Sequence, residues 1–335
     1  VTRLLLLAAI VLAPWSAHAQ GTLAKIRAAG TLACGVITEE ADYGKADTHG
    51  PLDDLGAEIC HAVAAAVLGT PRAIVTSYPD EQAGQQALAG GTLDLLAGVT
   101  PTPSNGAMYR ETFGPPFFFD GQGFLVEIHS DIASLRDLAG RQVCFIAATE
   151  HESRLLAAFA ARGIKMLPYP WEEQGEMDAG LTSGHCAAMT GDLSRLAAER
   201  ARFHARKADF VILPETISLD PLAPAVRQDD PQWAAVVTWT VEALIAAEAN
   251  DVTQANVAAM RGTDNPALRR LLGADRAAAQ ALGLPDDWAV RAIQSVGNYG
   301  ELYARTVGPG TDDDLPRGLN ALWTQGGLLY PLPLR

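Results

Sequence analysis

PFFFDGQGFLVE, residues 116–127, joins a run of three phenylalanines to a second apolar run through a short polar turn sequence. Phe117, Phe118 and Phe119 are too continuous for a surface strand, and Asp120-Gly121-Gln122-Gly123 supplies the backbone freedom of a bend. The stretch therefore reads as buried backbone interrupted by a flexible joint, a hinge that carries the chain from one α/β lobe to another.

Outward from this joint, both flanks show strand alternating with helix. On the N-terminal side a strand is predicted over 32–37, then a polar loop. A helix follows with Leu55, Ile59, Val63 and Val67 on one face, Asp53 or Asp54 as its cap and Gly69 as its stop. A strand over 74–77, a helix over 81–89 ended by Gly90-Gly91, and a short buried strand over 93–99 complete the first unit. On the C-terminal side a strand over 142–146 precedes a helix opened by Thr149, with Glu152 completing a capping box, Leu155, Leu156 and Phe159 buried, and Gly163 after its end. A second unit runs from Lys165 through a strand over 186–190 to Gly191-Asp192, and a strand over 210–213 leads to a rigid return at 220–224. Trp233, Val237, Val241 and Ile245 keep helical spacing in a last third expected to pack on the first lobe. Strand alternating with helix predicts parallel, doubly wound sheets. The division expected is a leader over 1–19, a first part of lobe 1 over 20–121, lobe 2 over 122–215, and a return to lobe 1 with C-terminal helices over 216–335.

The 335 residues, 48% of them hydrophobic, suffice for two such cores. A formal net charge of −14 argues against nucleic acid or an anionic membrane surface as partner. Arg3, the apolar run over 4–13 and Ala17-His18-Ala19 before Gln20 form the pattern of a secretory signal, so export and cleavage after Ala19 are expected. That run is too short to span a bilayer. Four cysteines in an oxidising compartment allow three connectivities. A bridge between lobes would lock any closing motion, so Cys34–Cys60 and Cys144–Cys186 are expected, each stabilising by roughly 3–4 kcal/mol in the chain-entropy model.

Ligands in open parallel sheets bind beyond the carboxyl ends of the strands. The hydroxyl-rich loop over 100–105 lies at such an end, and reads either as a site or as an ordinary Pro-Asn turn. The helix start at Thr149 offers N–H groups and a dipole to an anion, although Thr149 is also spent on its own helix. No G-x-S-x-G, P-loop, H-E-x-x-H or clustered C-x-x-C occurs, so neither a catalytic residue nor a cofactor or metal is expected. What remains is two lobes closing around a small molecule.

Leu32-Ala33-Cys34-Gly35-Val36, Asp120-Gly121-Gln122-Gly123-Phe124, Val296-Gly297-Asn298-Tyr299-Gly300-Glu301 and Arg317-Gly318-Leu319-Asn320-Ala321-Leu322-Trp323 resemble the general L-amino-acid-binding proteins of bacterial ABC transporters. The resemblance covers almost the whole mature chain. It implies the type II periplasmic binding protein fold, two doubly wound α/β lobes joined by two crossover strands, in a periplasmic monomer that delivers a small polar ligand to an inner-membrane permease. It also implies a ligand set: Asp192 for the ammonium, Thr100 as loop hydroxyl, Tyr43 as covering aromatic, and the helix start Ala147-Ala148-Thr149-Glu150. Glu150 stands where the family has Thr, and Asp54-Leu55-Gly56 where it has Gly-Phe-Asp. The family's carboxylate-binding Arg would fall at about Asn105 or Gly106, and Arg110, four residues on, is either its replacement or a surface charge. The ligand expected is an amino acid or a related amine. Two alternatives stay open: a dehydratase of the same fold with Glu150 as acid, its pKa raised by burial, and a degenerate sensor or accessory protein.

Overall fold

In the computed structural model, which describes residues 21–37, 51–274 and 276–333, eleven strands form two sheets. Strands β1 (Leu32–Ile37), β2 (Ala73–Tyr78), β3 (Leu95–Val99), β4 (Glu111–Phe113) and β5 (Phe118–Asp120) belong to the first. Strands β6 (Gln122–Glu127), β7 (Gln142–Ile146), β8 (Leu167–Trp171), β9 (Ala188–Asp192) and β10 (Phe210–Ile212) form the second. Strand β11 (Asp220–Arg227) returns to the first sheet. The chain thus crosses between sheets twice, from β5 to β6 and from β10 to β11. The orders are β2-β1-β3-β11-β4, with β5 on β11, and β10-β6-β9-β7-β8. In each, the strands joined through helices are parallel (β1 with β2 and β3, β7 with β8 and β9), as the alternation requires. The crossover strands pair antiparallel with their neighbours.

Helices α1 (Thr22–Ala29), α2 (Pro51–Leu68), α3 (Glu81–Ala89) and α4 (Pro103–Tyr109) accompany the first sheet, α5 (Glu150–Arg162), α6 (Gln174–Thr182) and α7 (Leu193–Arg202) the second, and α8 (Pro231–Ala249) follows the return. Leu55, Ile59, Val63 and Val67 are buried along α2, as their spacing predicts. Its start differs from the expectation: Pro51 opens the helix, and Asp53 and Asp54 lie inside its first turn, where acids suit the positive end of the dipole. Residues 103–109 form α4 rather than loop, because Pro103 takes the first helical position and the Thr102 hydroxyl caps it from the Asn105 N–H at 3.0 Å. On α5, Leu155 and Phe159 are buried, but Leu156 is 43% exposed and does not join the core. The expected capping box there is rearranged. Glu152 accepts from the Ala148 N–H at 2.8 Å, and the Thr149 hydroxyl donates back to the Ile146 carbonyl at 2.7 Å.

The crossover is buried as its aromatic content demands, with Phe117 and Phe118 each 1% exposed. Gly121 and Gly123 do not adopt positive φ, so their role differs from a freely turning joint. A Cβ on Gly121 would collide with the Ser218 carbonyl of the other crossover segment, and one on Gly123 would lie 2.5 Å from Leu193 Cδ2. Close approach, not turning, is what these positions require.

The larger core joins α2, α8 and the later helices, with Trp233, Val237, Val241 and Ile245 all inside it. This C-terminal part also grips the crossover: Asn320 accepts from the Phe119 N–H at 2.7 Å and donates to its carbonyl at 3.1 Å, as a neighbouring strand would. The Tyr299 hydroxyl donates to the Phe117 carbonyl. Disulfides link Cys34 to Cys60 and Cys144 to Cys186, the pairing expected, so each bridge stays on its own side of the crossover.

Candidate functional site

Strand direction locates the site. Val99 pairs with Ala223 and Leu96 with Ala225, so the carboxyl end of β3 is the one nearer Asp220 and the crossover. In the second sheet Asp192, the last residue of β9, pairs with Gln122, the first of β6. The carboxyl ends of both sets of parallel strands therefore lie toward the crossovers, and the loops beyond them bound one gap.

On the second lobe this arrangement collects charge. Asp192 Oδ1 lies 3.0 Å from His151 Nε2, with the two side chains 24% and 30% exposed. Gln122 holds the first turn of α5 in place, donating to the His151 carbonyl at 2.9 Å and to Thr190 Oγ1 at 3.1 Å. Behind Asp192 sits Asp120, which accepts from the Gly121 N–H at 2.8 Å, from the Ser194 N–H at 3.3 Å and from the Ser194 hydroxyl. Burial first, then the charge of Asp192, pushes the Asp120 carboxyl up to about 7, against the pull of those donors. Arg154 reaches from α5 to Asp220 at 3.1 Å and to Glu150 at 2.8 Å. Glu150 itself is 83% exposed.

On the first lobe, Glu81 organises the loop after β3. Its Oε1 accepts from the Thr100 N–H at 3.2 Å and from Asn105 Nδ2 at 2.9 Å, and burial pushes its carboxyl up against that first bond. Asn105 also donates to the Thr100 carbonyl at 3.1 Å, so the amide at one of the family's Arg positions is spent on the loop itself.

Thr100 lies at the strand end that faces the gap from the first lobe, while Thr149, Glu150 and Asp192 lie at those of the second. Tyr43 falls outside the described residues. Arg110 is not brought to them. It ends α4 in a left-handed conformation (φ 55), and its carbonyl accepts from the Gln228 N–H, beyond the end of β11 opposite Asp220. The helix formed by 103–109 carries it away, and the side chain is exposed. His151, Arg154, Asp120 and Glu81 escape the sequence reading. The first two lie one and four residues beyond Glu150 on a helix already placed at a strand end, which was the signal available for them.

Two α/β lobes crossed twice by the chain, with polar groups gathered at apposed strand ends, define a solute-binding protein of the type II periplasmic fold. No family model matches the sequence. The chain is, however, 36% identical over 331 residues to the general L-amino acid-binding periplasmic protein AapJ of Rhizobium johnstonii, across 98% of this chain and 97% of that one. It is 38% identical over 331 residues to the glutamate/glutamine/aspartate/asparagine-binding protein BztA of Rhodobacter capsulatus, with 98% and 97% covered. Among solved structures, an ABC transporter periplasmic binding protein from Brucella ovis with glutathione bound matches at TM-score 0.77 and 38% identity, over 94% of this chain and 99% of that one. The chain belongs to the family of periplasmic binding proteins of amino-acid ABC transporters.

Proposed function

We propose that this chain is exported, cleaved after Ala19, and works in the periplasm as a monomer that closes on an amino acid or related amine and presents it to an inner-membrane permease. The observation that carries this reading is the placement of Asp192: an acidic side chain at the end of β9, partly exposed, on the gap between the lobes. A carboxylate there receives an α-ammonium group through charge-assisted hydrogen bonds. Thr100, Thr149 and Glu150 supply further contacts at the strand ends, and Tyr43 closes over the ligand. His151 shares Asp192 and sets the geometry of its free lone pairs. Arg154, drawn between Glu150 and Asp220, is the cation we assign to a ligand carboxylate in place of Arg110.

The dehydratase reading finds no support in Glu150, whose side chain is 83% exposed and ion-paired with Arg154 rather than set in a closed pocket. A second reading of the ligand is a small peptide with a free α-amino carboxylate end, favoured by the glutathione bound to the Brucella ovis protein.

Thermal shift against the common L-amino acids, diamines and glutathione separates these readings, since a ligand at 100 times its Kd stabilises by about 2.7 kcal/mol. A shift with amino acids that is lost in Asp192→Asn supports the proposal. No shift with any of these compounds would remove it, and turnover of a cyclohexadienyl acid would replace it with the enzymatic reading.

A further inference from the structure

A pocket of about 470 Å3 opens between α4 and β4 on the first lobe. Pro101, Pro103 and Phe113 give it apolar walls, and Thr102, Gln228 and Glu111 give it polar groups. The room comes from the sequence of α4, where Gly106 and Ala107 present almost no side chain.

Glu111 is the unusual member. It is 4% exposed, its Oε2 receives Gln85 Nε2 at 3.4 Å, and its Oε1 has no hydrogen-bond partner. A buried carboxylate oxygen without a donor is costly, and each such atom calls for an explanation. Beyond Gln85, which reaches only Oε2, the neighbours do not supply a donor to Oε1. Glu81, on α3, is acidic and already accepts from Thr100 and Asn105. Arg227 stands opposite Glu111 in the β4–β11 register but sends its guanidinium to the Leu88 and Leu93 carbonyls at 3.4 and 2.7 Å. Arg110, the residue before it, is exposed. Burial first, and then the charge of Glu81, pushes Glu111 up to about 7, as expected of a carboxylate that lacks a cation.

We propose that this pocket binds a small organic ammonium ion, its charge on Glu111 and its carbon stem against Phe113 and the two prolines. A hard metal ion needs a cage of several oxygens, whereas these walls offer one carboxylate and much apolar surface. A primary ammonium carries three donors and a stem, which fits one carboxylate oxygen, neighbouring amide and hydroxyl oxygens and a ring. Neither Asp192 nor Thr100, Thr149 or Glu150 lines this pocket, so it is proposed as a site separate from the one in the amino-acid reading.

Titration calorimetry with n-butylammonium on the full chain tests this. Wild-type protein is expected to bind at pH 8 and to lose about tenfold in affinity at pH 6, because the cation must displace a proton from a group titrating near 7. Asp192→Asn is expected to retain the binding, while Glu111→Gln abolishes it. Gly106→Leu gives an independent block: a Cβ there meets Phe113 at 3.5 Å and the Glu111 carbonyl at 3.7 Å, ordinary contacts, so the longer side chain fills the pocket while Glu111 stays. Both blocking variants are expected to keep a cooperative melt. No binding by wild type, binding unchanged in either blocking variant, or binding lost in Asp192→Asn would each overturn the assignment.

Discussion

Asp192 and Asp120 show how one register fixes the character of two carboxylates. Both are brought to the crossover by the pairing of Gln122 with Asp192, yet one keeps access to solvent and the other is 5% exposed. In the proposed function the more exposed of the two meets the ligand, and removing one member of a desolvated charge pair costs about 2–5 kcal/mol. Asp192→Asn is therefore expected to weaken amino-acid binding by that amount in calorimetry, with the melting curve little changed. Arg110→Ala is expected to leave the same affinity unaltered, since the side chain lies at the far end of α4. An effect of more than about tenfold, roughly 1.4 kcal/mol, would return Arg110 to the site. The buried partner writes itself into the pH dependence. A carboxyl raised from 3.8 to about 7 adds stability that is complete below the lower value and lost as pH rises through the upper one. Asp120→Asn, which keeps the shape and cannot ionise, should thus gain in melting temperature relative to wild type between pH 4 and pH 7, and show no relative change below pH 4.

At the scale of elements, the crossover β5–β6 depends on two glycines for different neighbours. At Gly121 a Cβ meets the backbone carbonyl of Ser218, which cannot step aside without moving the second crossover segment. At Gly123 it meets the end of the Leu193 side chain, which can change rotamer. Gly121→Ala is expected to cost more than the about 1–3 kcal/mol typical of overpacking, and Gly123→Ala less than that, by urea denaturation. Equal losses would mean that the two crossover segments are not held against each other. These contacts are also where sequence reading stops. Strands β1 and β7 and helix α3 have the limits that periodicity predicts, because each is set by local alternation and by punctuation such as Gly90-Gly91. The tight spacing at Gly121 arises from a segment far along the chain, and a glycine kept for closeness reads like one kept for bending. Helix α4 was hidden for a related reason. Thr-Pro-Thr-Pro is rigid loop chemistry until Thr102 is seen to cap and Pro103 to start a helix. The helix decides between the two readings of Arg110 in favour of a surface charge, because it moves the residue at its end away from a strand end where a turn would have kept it near. The strand-end positions of Thr100, Thr149 and Asp192 were legible in the sequence, whereas the partners at two of them, Glu81 for Thr100 and His151 for Asp192, depend on tertiary pairing.

Across the whole molecule, the two lobes meet away from the strand ends as well. The C-terminal segment beyond the helix Tyr299–Thr306 is anchored to the first lobe by Val307 and Leu315 in the large core, and between them it carries Asp312, Asp313 and Asp314. From the second lobe, Arg200 on α7 donates to the Asp313 carbonyl at 2.7 Å and to the Asp314 carbonyl at 3.2 Å. Lys207 donates to the Asp312 carbonyl and, at 3.4 Å, to that of Thr311. Burial, then Asp312, pushes the Asp313 carboxyl up to about 6, while Lys207 and Arg200 pull it down. The segment thus forms a strap, two basic side chains of one lobe on consecutive carbonyls and carboxylates of the other. Bonds of this kind on partly exposed groups are individually modest and sensitive to salt. A lobe that moves on closure must carry or break them, so they bias the relative population of lobe arrangements, in the way any differential contact shifts a two-state equilibrium. The double variant Arg200→Ala, Lys207→Ala is expected to have an unchanged melting profile and a larger radius of gyration in X-ray scattering without ligand, and wild type in about 1 M salt should move in the same direction. An unchanged radius in both would show that the crossovers alone set how far the lobes stand apart.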